Sequence, residues 1–164
     1  MNYAARAVGA SEAVVEECKK VVNISDLSSA EQRGVMTYKI GEMASKHYMV
    51  SSLLAESINY FVNPDSGKGF HELSQIARIT KLETTKALQQ NLQTAMMLLG
   101  GQCYGVKQHN AIERIYRDAA SLRIVGTPND TLRSMIGSFE IQDQQHDSNT
   151  NIESEVRSCL SQHV

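Results

Sequence analysis

An all-α antiparallel bundle of four to five helices is the fold class this sequence predicts, and three observations predict it. Glycine and proline number only 10 and 2 among 164 residues, so long stretches run without a helix breaker. Within those stretches apolar residues recur at spacings of three, four and seven, the period of one helical face. Clusters of breakers at 63–69 and 100–101 separate long elements joined by short loops.

The first helix is expected over 3–22, where Val8, Val15, Cys18 and Val22 share a face. After a loop at 23–27, Ser28 with Glu31 forms a capping box: the hydroxyl accepts from the Glu31 amide and the carboxylate reaches back. The second helix follows over 29–62, with Met36, Ile40, Met43, Leu54, Ile58 and Phe61 marking its buried side. Tyr38, Tyr48 and Leu53 broaden that stripe. The run Asn63-Pro64-Asp65-Ser66-Gly67-Lys68-Gly69 is a turn. The third helix spans 70–99 on Leu73, Ile76, Ile79, Leu82, Leu92, Ala95, Met96 and Leu99, and stops at Gly100-Gly101. A shorter helix covers 111–122. Thr127 then reads as N-cap and Pro128 as the first residue of a last helix over 128–139. From 141 to 164 the chain turns polar and is expected to be a flexible tail on a 1–140 helical domain, with Ile152, Val156, Cys159 and Leu160 able to form a short amphipathic end.

Hydrophobic residues at 41%, charged residues at 21% and a net charge of −2 describe an ordinary globular chain. That balance argues against nucleic-acid binding, which needs a concentrated basic surface. No apolar run is long enough for a membrane span. Three widely spaced cysteines, Cys18, Cys103 and Cys159, fit an intracellular, reducing compartment and free thiols. Cys103, after a double glycine, is expected to be partly exposed and is better read as a small filler than as a reactive thiol. The five histidines show no ligand spacing on one helix face, so no metal site is expected.

Four blocks carry a family resemblance. They are Ala4-Ala5-Arg6-Ala7-Val8-Gly9, Tyr38-Lys39-Ile40-Gly41-Glu42-Met43-Ala44, Leu98-Leu99-Gly100-Gly101 with Cys103-Tyr104-Gly105, and Glu113-Arg114 with Arg117-Asp118-Ala119. In this order and with this spacing, 3–139 resembles the C-terminal all-helical domain of the acyl-CoA dehydrogenases. The resemblance implies FAD, an acyl-CoA thioester, and proton abstraction coupled to hydride transfer. It implies a bundle that builds the oligomer core and lends residues to a neighbour's FAD site, and a mitochondrial location.

The family's catalytic carboxylate does not carry over. The family pattern reads Arg-Ile-Phe/Tyr-Glu-Gly-Thr-Asn-Asp/Glu, and its Glu falls on Gly126, or on Val125 if the Gly-Thr pair is matched instead. Neither accepts a proton, so no catalytic residue is expected. The Arg-x-x-Phe-Gly flavin motif is missing from 23–30, and the glutamine before the double glycine corresponds to Met97. Gly100, Gly101 and Thr127 remain as candidate cofactor-binding residues. Glu113, Arg114, Arg117 and Asp118 read as an ion-pair network holding the fourth helix to the bundle.

Two functional readings follow. One is a non-catalytic module that carries no cofactor of its own and acts as a structural, oligomerisation or adaptor subunit, with a protein partner or a second copy on the bundle. The other is a fragment or subunit of an FAD-dependent acyl-CoA dehydrogenase that contributes the C-terminal half of the flavin site.

Overall fold

A computed structural model describes residues 1–21, 29–63, 67–100, 103 and 111–142. Those residues form helices and turns, with no strand among them. In chain order the helices are α1 (Asn2–Val21), α2 (Ala30–Val62), α3 (Phe70–Leu99), α4 (Ala111–Leu122) and α5 (129–142). Ser28, Val22, Gly101 and the tail from 143 to 164 lie outside the described residues.

The helix boundaries match the expected ones within a residue or two, except that α5 runs on to Gln142. Two caps move. Ser29, in extended conformation, caps α2 by accepting from the Gln32 amide at 3.1 Å. The Leu132 amide bonds to the Pro128 carbonyl, so Pro128 is the N-cap of α5 and Thr127 precedes it. The Gly69 amide is met by the Glu72 carboxylate at 2.9 Å, which closes the start of α3.

Side-chain pairs give the directions. Asn91 of α3 bonds to the Met43 carbonyl of α2, and the Ser57 and Thr80 hydroxyls of the same two helices meet at 2.6 Å, so α2 and α3 are antiparallel. Asn91 also bonds to Ser11. Tyr3 lies beside Gly126, whose neighbour Thr127 is held by Lys81, so α1 runs parallel to α3. On α5, Asn129 meets Thr85 and Ile136 meets Gln75, so this helix runs back along α3.

Helix α3 is the centre, in contact with α1, α2 and α4. The core gathers Val14 and Cys18 of α1, Met43 of α2, Leu88 and Leu92 of α3 and Ile112 of α4. Burying each large side chain stabilises the fold by roughly 1.5–3 kcal/mol. Ala4 and Ala7 let α1 approach closely.

Three expectations about burial need correction. Tyr38, Tyr48, Ile58 and Phe61 of α2 are exposed. Met43, Val50 and Ser57 face the bundle and are buried, and Ser57 bonds to Thr80 of α3, so the exposed residues lie on a flank of α2 that no described helix covers. Cys103 is buried, packed in the core with Cys18. The charges of α4 do not tie it to the bundle: Arg117 pairs with Glu113 one turn away on its own helix at 2.8 Å, and Arg114 and Asp118 are exposed. Ile112 and Ala119 attach α4 instead. No described helix is long and apolar enough to cross a membrane.

Candidate functional site

The face of α3 that meets α5 and the α4–α5 turn carries Lys81, Thr84, Thr85, Leu88 and Leu92 at helical spacing. Threonines are tolerated inside this helix because their hydroxyls bond back to carbonyls one turn earlier. Thr84 reaches Thr80 O at 2.7 Å and Thr85 reaches Lys81 O at 2.9 Å. The hydroxyl of Thr85 then accepts from the Asn129 side-chain amide at 3.0 Å. The Asn129 backbone amide donates to Arg123 O at 3.0 Å. Lys81 donates to the Thr127 carbonyl. Burial away from water holds the Lys81 ammonium below its ordinary pKa. Two residues one turn apart on α3 therefore hold the α5 end of a short turn, at Thr127 and Asn129, and the Asn129 amide closes it back onto the Arg123 carbonyl. That turn includes Val125, Gly126 and Thr127.

Gly126 stands at the expected base position. Its φ is +73°, a backbone region that side-chain-bearing residues seldom occupy. A Cβ added there would lie 3.0 Å from Tyr3 Cε2, so the ring of Tyr3 fills the space that a carboxylate arm would need. Val125, the alternative position, is partly exposed and likewise carries no ionisable group. Tyr3 was not legible as part of the site, because nothing local links the first turn of α1 to a turn near the other end of the chain.

Beside this turn lies a groove of about 430 Å³ between α3, α4 and the start of α5. Leu92 and Ile124 give it apolar walls, Gln89 and Tyr116 border it, and Arg123 and Asn129 supply polar groups. Arg123 has no carboxylate partner among the described residues. Asn129 is 5% exposed, and its Oδ1 has no hydrogen-bond partner among the described residues. A buried acceptor left in that state costs about 1–3 kcal/mol, so it is well placed to receive a donor entering the groove.

The candidate cofactor residues are not brought together. Gly100 is the C-cap of α3 with φ +56°, and its amide is already spent on Met96 O. Thr127 is held at the level of Lys81, so about 28 Å of helix axis separates it from Gly100. A pyrophosphate spans far less than that. Gly100 and Thr127 of one chain therefore do not contact the same pyrophosphate. Thr127 is exposed, and its hydroxyl makes no bond with a described residue. Met97, at the place of the family's glutamine, is exposed and offers no amide. The candidate cofactor residues that the structure describes, Gly100 and Thr127, thus do not form one site.

A family model described as acyl-CoA dehydrogenase, C-terminal domain, matches residues 1–140, the whole of the bundle described above. A search of curated proteins returns no significant match. The order of helices, the α3 face that clamps the α4–α5 turn, and the extent of that match together place the chain: it belongs to the acyl-CoA dehydrogenase C-terminal domain family.

Proposed function

We propose that this chain is a non-catalytic acyl-CoA dehydrogenase-like module that acts as a structural or oligomerisation subunit of a larger assembly. One observation carries the reading. At the position of the family's base, Gly126 adopts a left-handed conformation with the Tyr3 ring against it. A positioned base contributes about 10²–10⁴-fold to such a reaction, and neither Gly126 nor Val125 can take that role. The exposed apolar side chains of α2, among them Tyr38, Tyr48, Met49 and Val62, support the association half of the proposal.

The second reading, a subunit contributing half of a flavin site, draws on the groove. There Arg123, the unpartnered Asn129 Oδ1 and the nearby Thr127 hydroxyl offer polar contacts. When bound, a flavin supplies hydride-accepting chemistry; this chain would supply only those contacts and the wall of α3 and α4.

The visible spectrum and native mass of the purified chain decide between them. A colourless oligomer that does not reduce an electron acceptor with acyl-CoA is the expected result. A yellow preparation with flavin absorption would sink the first reading in favour of the second.

A further inference from the structure

A second concavity, about 300 Å³, lies away from the clamped turn, between the first turns of α3 and the last turns of α5. His71 and Arg78 enter it from α3, seven residues apart and so on one face. Ser134 and Ser138 enter it from α5, one turn apart. Met135 and Phe139 add an apolar side.

The residues that line the concavity include the Arg78 cation and no carboxylate. Arg78 is half-buried and has one hydrogen bond, to Gln75 Oε1 at 3.4 Å; among the described residues it has no carboxylate partner. A guanidinium carries five N–H donors, so most of its fork is unspent. The Ser134 and Ser138 hydroxyls and the His71 ring make no hydrogen bond with a described residue. The two nearby acids are engaged elsewhere. Glu72 accepts from the Gly69 amide and from Lys68, and Glu140 accepts from Gln75 at 3.4 Å.

We propose that this concavity binds a phosphate group. The Arg78 fork takes two oxygens in the bidentate manner that planar guanidinium favours, the paired hydroxyls take a third, and His71 stands at the rim. A phosphate offers one more oxygen than a carboxylate and a greater charge, so the serines meet an oxygen that Arg78 does not use. The space beyond a phosphate, walled by Met135 and Phe139, suits the organic part of a phosphate monoester. The site is independent of the flavin question, since it uses neither Gly126 nor the groove beside Thr127.

Calorimetric titration of the full 164-residue chain tests the proposal, with inorganic phosphate and phenyl phosphate as probes and chloride at equal ionic strength as control. Saturable phosphate binding is expected, weakened about tenfold or more by Arg78→Gln, since a charge-assisted bond is lost. Ser138→Ala, at an exposed position with no structural bond, should weaken it about threefold. Tighter binding of phenyl phosphate would identify a monoester as the ligand class, and equal affinity would identify the free anion. Chloride matching phosphate, or Ser138→Ala and Arg78→Gln binding as the unaltered chain does, overturns the proposal. If Arg78→Gln fails to fold, Ser138→Ala decides alone.

Discussion

At the scale of single residues, Gly126 shows how one backbone angle and one distant ring define a site. An L side chain at φ +73° is strained by roughly 1–2 kcal/mol, and contact with Tyr3 adds to that. Gly126→Ala should therefore lower the melting temperature by about 3–6 °C, at roughly 2–4 °C per kcal/mol for a chain of this size. In a Tyr3→Ala background the loss should shrink to the backbone part; an undiminished loss in calorimetry would remove Tyr3 from the argument. Gly126→Glu should not create acyl-CoA oxidation, because a side chain there is strained at φ +73° and pushed aside by the Tyr3 ring. Cys18 makes a second residue-scale case. Burial, with Cys103 close by, pushes its thiol up to about 12. Native alkylation at pH 8 should leave the Cys18 peptide unlabelled by mass spectrometry, and urea should expose it.

At the scale of elements, α3 is held by polar contacts that an apolar pattern does not reveal. Asn91 is fully buried and links α1 to α2 by donating to Ser11 Oγ and Met43 O, both at 3.0 Å. Asn91→Ala should cost about 1–3 kcal/mol in chemical denaturation, because it removes two buried hydrogen bonds and opens a small cavity, offset in part by loss of the Oδ1 that has no partner among the described residues. A loss below about 0.5 kcal/mol would mean that the bridge contributes little. Lys81 gives a pH signature. Its folded pKa lies below the unfolded value of 10.5, so between the two the unfolded chain binds more protons, and stability from this group rises with pH. Relative to Lys81→Met, the unaltered chain should therefore gain stability as pH rises through the alkaline range toward 10.5. An unchanging difference across that range would refute the assignment. Much of this face was recoverable from spacing alone: Lys81, Thr85, Leu88, Leu92, Ala95 and Leu99 follow at three or four residues, with Thr84 beside Thr85. A reading that scans only for apolar residues passes over Lys81, Thr84 and Thr85. Their back-bonded hydroxyls and carbonyl-paired ammonium become visible only when α5 and the turn are in place.

At the scale of the whole molecule, the distance between Gly100 and Thr127 matters most. Helix α3 carries Gly100 at its C-terminus and holds Thr127 at the level of Lys81, about 28 Å away along its axis, so the two do not share one pyrophosphate. Ile58, Phe61 and Val62 at the end of α2, with Phe70 at the start of α3, are all exposed on the same hairpin end. Light scattering at micromolar concentration should show an oligomer, and Val62→Ser with Phe70→Ser should shift it toward monomer. A monomer throughout would remove the scaffold role.

The sequence by itself determined the family, the order of helices and most of their boundaries. These depend on local quantities: breaker clusters, a 3.6-residue period, and short blocks of recognisable residues. It also marked Gly126 as the position without a carboxylate. Only the tertiary structure decided what stands there instead, because Tyr3 reaches Gly126 through the packing of α1 and not through any pattern in the chain. Packing likewise separated Gly100 from Thr127, exposed one flank of α2, and replaced the expected ion pairs of α4 with Ile112 and Ala119. Each of these depends on which helix lies beside which, and on which face it covers.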